Sequence, residues 1–178
     1  MCIRDRGKQN SADFILRPFS ITDASSFAFY GNNPKIACFL RDAFPYPYRL
    51  KDAQDYIQSC IASEGKTQLC RAIVVDGAAV GSIGLFFGKD VAKKSAELGY
   101  WLGEPFWGKH IVSRGIGELC REAFCQTDLI RIYAQPFVHN LASRHALENN
   151  GFRLEGILQN SIYKSGMIYD SCMYALLK

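Results

Sequence analysis

The chain has 178 residues, 48% of them apolar and 21% charged, which is enough to bury one real core and too much apolar content for a disordered chain. Its 21 basic and 17 acidic residues leave a net charge of +4, scattered without any Lys/Arg run. That mild bias suits a small polyanionic ligand without choosing a partner by itself, and the missing run argues against direct nucleic-acid binding. No apolar run approaches the length of a membrane span, and none reads as a signal-peptide h-region. Seven cysteines, odd in number and without CxxC spacing, read as reduced core residues of a cytoplasmic protein.

In chain order, Met1-Cys2-Ile3-Arg4-Asp5-Arg6 carries no apolar period and back-translates to a sequencing-adapter end. Residues 1–10 are therefore read as a disordered or non-native extension, and residues 11–178 as a single domain. Phe14 to Arg17 alternates as a strand, and Thr22 or Asp23 is expected to cap a helix through about Tyr30. A second helix is expected over Lys35 to Asp42, ended by Phe44-Pro45-Tyr46-Pro47-Tyr48, where each proline removes a donor. A third covers Lys51 to Ala62, with Ala53, Tyr56, Ile57 and Cys60 on one stripe. The period then becomes that of strands: Gln68 to Val75, a turn at Asp76-Gly77, Val80 to Phe87, and Ser95 to Leu102.

After a glycine-bearing turn come a helix from about Val112 to Cys125, a strand Leu129 to Pro136 and a helix Asn140 to Asn149. Strands Phe152 to Tyr163 and Ile168 to Leu176 close the chain around a Lys164-Ser165-Gly166 turn. This order predicts an α+β domain on one mixed, mostly antiparallel sheet flanked by helices. Where a strand turns straight into a helix, free N–H groups and the positive dipole end favour a phosphate.

The segment Glu97-Leu98-Gly99-Tyr100-Trp101-Leu102-Gly103-Glu104-Pro105-Phe106-Trp107-Gly108-Lys109 closely resembles the GNAT superfamily of N-acetyltransferases. The nearest branch contains the ribosomal-protein N-terminal alanine and serine acetyltransferases. The likeness continues through Asn140-Leu141-Ala142-Ser143, Leu147-Glu148-Asn149-Asn150-Gly151-Phe152 and Glu155-Gly156, in family-like order. The resemblance implies a V-shaped cleft between the strand Glu97 to Leu102 and the strand near Leu129, with acetyl-CoA as acyl-donor co-substrate. Its pantetheine arm would meet the main chain of Trp101 and Leu102, and its phosphates the turn Trp107, Gly108, Lys109, His110, Ile111, Val112 and Ser113. The branch's usual pattern there is W-G-K-G-x-A. This chain departs from it at His110 and Val112, and carries Arg114 where the family has an acidic residue; Gly115 and Gly117 weaken the helix that follows.

Glu97 aligns with the family's general base, which is needed because an attacking amine is mostly protonated at neutral pH. Glu104 is a second candidate base. Asn140 and Ser143 have the spacing of a helix cap and match residues that contact the cofactor arm. Ser143 is also a candidate to return a proton to the thiolate, because the tyrosine other branches use is here Leu147. His139 and His145 read as loop and helix-surface residues, and no metal is called for.

The resemblance implies acetyl transfer to a primary amine, a protein N-terminus or small molecule, by direct attack in a ternary complex. It implies no membrane partner, and a monomer or homodimer. A CoA-binding sensor without turnover and a plain interaction domain are the alternatives.

Overall fold

The computed structural model describes residues 13–178; the extension read at residues 1–10 lies outside them. The described chain builds a seven-stranded sheet in the order β1-β2-β3-β4-β5-β7-β6. Strands β1 (Ile15–Arg17), β2 (Gln68–Val75), β3 (Ala78–Phe87) and β4 (Ser95–Leu102) form an antiparallel half. Strands β5 (Arg131–Ala134), β6 (Arg153–Lys164) and β7 (Met167–Leu177) form the other. The parallel pair β4 and β5 joins them, and the crossover between these two strands is α4 (Ile111–Gln126).

The hairpin turns obey local chemistry. Asp76 and Gly77 sit at φ 48° and 80°, and Ser165 and Gly166 at 53° and 82°, the paired left-handed geometry that matches strand twist.

One face of the sheet packs under α4 and α5 (Leu141–Glu148), with Leu98, Ile111, Ile116, Leu119, Ile132 and Tyr174 at its centre. The other carries α1 (Ala24–Gly31) and α3 (Leu50–Ser63), with Phe27, Ile57, Ala72 and Trp101 buried between. The stripe read on the third helix lands there: Ala53, Ile57 and Cys60 are buried, with Tyr56 packed alongside.

Two expectations are corrected. Asp23 stands at the N-cap of α1 as expected but makes no side-chain cap bond there; its carboxylate instead accepts the Ser20 N–H at 2.9 Å, closing the capping box of a short 3-10 turn (Ile21–Asp23) that Ser20 opens. The helix expected over Lys35 to Asp42 is only α2 (Pro34–Ala37). Its continuation is pulled apart by tertiary contacts: Phe39 packs on Phe137 and His139, Arg41 reaches Glu97, and Asp42 pairs with Lys164. Among the described residues no helix is long and apolar enough to cross a membrane.

Candidate active site

β4 pairs with β5 over only three positions, Ser95↔Arg131, Ala96↔Ile132 and Glu97↔Tyr133, yet it continues against β3 as far as Leu102. The pairing ends because β5 is short and its continuation turns to β7. β5 stops at Ala134, and the chain then follows β7, the Pro136 carbonyl accepting the Cys172 N–H at 2.9 Å and Phe137 bridging to Ser171. By strand alternation Pro136 thus directs its main chain at β7, away from β4. The sheet therefore opens beyond Glu97.

Strand alternation identifies the main-chain groups that face this gap. The Gly88 N–H donates to the Ser95 carbonyl and the Gly103 N–H to that of Val80, so odd-numbered residues of β4 direct their main chain at β3. Even-numbered ones point the other way. The Leu98 carbonyl, both groups of Tyr100 and the Leu102 N–H are thus aimed into the gap, while the Leu102 carbonyl accepts Trp107 Nε1 at 2.7 Å. The expectation for Trp101 is corrected accordingly: its main chain serves β3, and its indole lies against Phe27 and Phe44, with ring centroids 4.7 and 5.7 Å away. Tyr100 takes the place assigned to it.

Past Leu102, a 3-10 turn (Glu104–Phe106) leads to Trp107, and Gly108 and His110 both adopt left-handed backbone, at φ 72° and 57°. His110 is the N-cap residue of α4 and makes no side-chain cap bond. The first N–H bonded back into the helix is that of Arg114, to the His110 carbonyl at 3.0 Å. The N–H groups of Ile111, Val112 and Ser113 therefore have no partner within the helix and stand at its positive end. Ile111 is buried, and Val112 is partly buried against the same core cluster, so the β-branched side chain packs inward. Lys109 lies over the Phe106 ring, its Nζ 5.4 Å from the centroid.

Gly117, read as a weakness, has a packing cause. A Cβ there would lie 2.7 Å from Asn150 Oδ1, and Asn150 Nδ2 donates to the Ser113 and Ala146 carbonyls at 2.8 Å each, with Ser113 Oγ at 3.2 Å.

Across the gap, Asn140 caps α5, its Oδ1 accepting the Ser143 N–H at 3.2 Å. Ser143 Oγ lies 2.7 Å from the Tyr100 hydroxyl. Burial pushes that phenol up to about 12, so Tyr100 keeps its proton and can donate to Ser143. The sequence reading missed this residue. Its signal was available: a hydroxyl on the same face as Leu98 and Leu102 must find a polar partner.

Glu97, on the last paired rung, projects from the opposite face, with 22% of its side chain exposed and in contact with Arg41. The second candidate base, Glu104, is tied to Lys35 and to Asn33, the latter at 2.7 Å. These bonds hold its carboxyl below the usual carboxylate range, which makes it a poor proton acceptor and a fastener between α2 and the turn. His139 belongs to a ring cluster with Phe39, Phe137 and Tyr169, and His145 is exposed on α5.

A sheet split at a parallel pair, with a helix N-terminus beside the split, defines an α+β domain with open main-chain groups of the kind that suit a phosphate-bearing ligand. The chain belongs to the GNAT family: the family described as "Acetyltransferase (GNAT) domain" matches residues 13–153. It is 35% identical over 106 residues to the putative ribosomal N-acetyltransferase YdaF of Bacillus subtilis, covering 60% of this chain and 57% of that protein. It is 33% identical over 82 residues to the ribosomal-protein-serine acetyltransferase of Escherichia coli, covering 46% of each. The chain thus spans about half the length of the curated relatives it matches.

Among solved structures it superposes on the microcin C7 self-immunity acetyltransferase MccE, in complex with acetyl-CoA and AMP, with a TM-score of 0.82, 26% identity and 98% of both chains covered. It also superposes on RimL, a ribosomal L7/L12 alpha-N-protein acetyltransferase in complex with coenzyme A, with a TM-score of 0.84, 23% identity, and 94% and 96% covered. The latter likeness is one of fold.

Proposed function

We propose that residues 11–178 act as a single domain that transfers an acetyl group from acetyl-CoA to a primary amine in a ternary complex. The observation that carries this reading is the three-rung pairing of β4 with β5, which leaves main-chain donors and acceptors unspent beside the open N-terminus of α4. The donor fits this arrangement. The turn from Trp107 to Ser113 offers N–H groups and Lys109 to its phosphates, and Leu98, Tyr100 and Leu102 offer a strand edge to its amide-bearing arm. Acetyl-CoA supplies the activated thioester.

The chain's own residues supply position and proton handling. Glu97 accepts the proton of the arriving ammonium, directly or through water. The open N–H groups of β4 stabilise negative charge on the carbonyl oxygen under attack. Ser143, held by Asn140 and Tyr100, returns a proton on the other side of the gap. The acceptor is a protein N-terminus or a small amine in the cytoplasm; relatives named for ribosomal proteins support the first, and a neighbour captured with AMP supports the second.

Calorimetric titration with acetyl-CoA, followed by thiol release over a panel of peptides and amines, tests the reading. Binding with acceptor-dependent release is expected. Absence of heat at millimolar acetyl-CoA would remove it, and binding without release by any acceptor would leave a sensor.

A further inference from the structure

The turn following α2 is fastened over the open sheet face at three points. Phe39 packs against Phe137 and His139, with ring centroids 6.0 and 5.4 Å away. Asp42 accepts a bond from Lys164 Nζ at 2.7 Å, and the Lys164 side chain is only 14% exposed. Between these anchors Arg41 holds Glu97, its own side chain 75% exposed.

In this cluster charges balance: Arg41 and Lys164 against Glu97 and Asp42, with nearby Arg131 engaged by Glu155 at 2.5 Å. A guanidinium has five donors in a fork that matches a carboxylate, and among the described residues Glu97 is Arg41's ion-pair partner. An ammonium that comes to Glu97 displaces Arg41 and leaves an excess positive charge beside it. An acceptor carrying its own carboxylate restores balance and gives the displaced fork a partner.

We propose that Arg41 selects the acceptor, taking the carboxylate of an amine that bears an acidic group one residue away, such as a peptide N-terminus with Asp or Glu in second place. The assignment rests on Glu97 receiving the acceptor amine, as under the proposed function. Arg41 acts on acceptor choice, and Lys164 and Asp42 act through it by holding the turn.

The test compares Ala-Asp-Ala, Ala-Asn-Ala and Ala-Lys-Ala amides, by thiol release with acetyl-CoA and by titration calorimetry on the protein saturated with CoA. Wild type should favour the Asp over the Lys peptide by about tenfold in kcat/KM, mostly through KM, as two partly screened charge contacts imply. Arg41→Gln should bring the ratio to within about twofold, Arg41→Lys should keep part of it, and Arg41→Glu should invert it. Because each ratio is taken within one variant, a general loss of activity or folding cancels. Equal use of the three peptides by wild type, or a ratio unchanged in Arg41→Gln, overturns the proposal. If no peptide releases thiol but binding still ranks them in an Arg41-dependent order, acetyl transfer falls and acceptor selection stands. If the Asp peptide does not bind preferentially, selection falls.

Discussion

The hydroxyl of Tyr100 and Oγ of Ser143 lie 2.7 Å apart, joining β4 to the first turn of α5 across the opened sheet. Burial keeps the phenol protonated, so it can donate to Ser143 Oγ, and in that arrangement the serine proton is directed elsewhere. In the proposed reaction that proton is the one available to a departing thiolate. Tyr100→Phe should lower kcat about tenfold, the orienting share of a general-acid contribution of about a hundredfold or more, with the acetyl-CoA Kd within about twofold of wild type. Ser143→Ala should cost at least as much, and the double variant no more than Ser143→Ala alone. Independent, multiplying losses would show that the two groups do not act as a unit.

Glu97 is the other half of the proposed proton transfer. Glu97→Gln keeps the shape and removes the acceptor, so kcat/KM should fall about a hundredfold with an ordinary α-amine acceptor. The loss should shrink when the acceptor amine has a lower pKa, because more of it arrives already deprotonated. A rate penalty independent of amine pKa would mean that Glu97 positions the acceptor and takes no proton.

Much of this was legible in the sequence where local chemistry and global fold agree. The Asp76-Gly77 turn, the strand before it and the helix after His110 follow from short-range preferences that the tertiary structure does not oppose. The motif residues point to the candidate site for a related reason, since they fall in short runs of the chain. What escaped depends on partners far away in sequence. α2 ends at Ala37 because Arg41 and Asp42 answer residues on β4 and β6, and no period in residues 35–42 encodes that. By helix propensity alone Gly117 is a fault; the residue that explains it, Asn150, lies far along the chain. Tyr100 was hidden by the motif itself, which drew attention to Trp101 next door, whose alternation points it the wrong way.

His110 is the left-handed residue at the start of α4, a conformation that costs a residue with a Cβ roughly 1 kcal/mol relative to glycine. His110→Gly should raise stability by about 0.5 to 1 kcal/mol, the lower figure allowing for glycine's freedom in the unfolded chain. It should also tighten acetyl-CoA binding about twofold or more, since a ring and a Cβ leave the mouth of the helix. His110→Ala keeps the strain and should not stabilise. Denaturant melts with calorimetry decide it; a looser Kd in the glycine variant would make the imidazole a phosphate contact in its own right.

At the end of the edge strand β1, Arg17 grips Asp23 with two bonds of 2.7 Å while the Asp23 side chain is 6% exposed. Burial pushes this carboxyl up, but the Arg17 bonds and the Ser20 N–H outweigh it and hold the group below its ordinary value. A depressed folded-state pKa stabilises above the unfolded value of about 3.9, and the contribution is lost as pH falls through the folded one. The window lies below about pH 4. Arg17→Met leaves the carboxylate buried alone and should cost about 2 to 3 kcal/mol at pH 7, a low figure for a broken buried pair because Arg17 is partly exposed. The variant should recover relative to wild type on acidification, because Asp23 can then take up a proton. Urea melts at pH 7 and pH 3.5 measure both effects, and a constant difference between the proteins would mean that Asp23 is not the group responsible.

The contact of Gly117 with Asn150 links stability to the phosphate turn. Alanine at 117 gains roughly 1 kcal/mol of helix propensity, but its Cβ meets Asn150 Oδ1 at 2.7 Å. The amide cannot retreat freely, because its Nδ2 holds the Ser113 and Ala146 carbonyls. Losing those two bonds costs about 1 kcal/mol each, so Gly117→Ala should be destabilising by about 1 kcal/mol. It should also weaken acetyl-CoA binding, since Ser113 belongs to the first helix turn, whose open N–H groups the proposed function assigns to the phosphates. With Asn150→Ala already in place the clash is gone, and the same Gly117→Ala change should stabilise by about 1 kcal/mol. The sign reversal between backgrounds is the measurement, read from denaturant melts of the four proteins. Stabilisation of equal size in both backgrounds would show that the amide yields without cost, and that glycine at 117 has no part in seating α4 against α5.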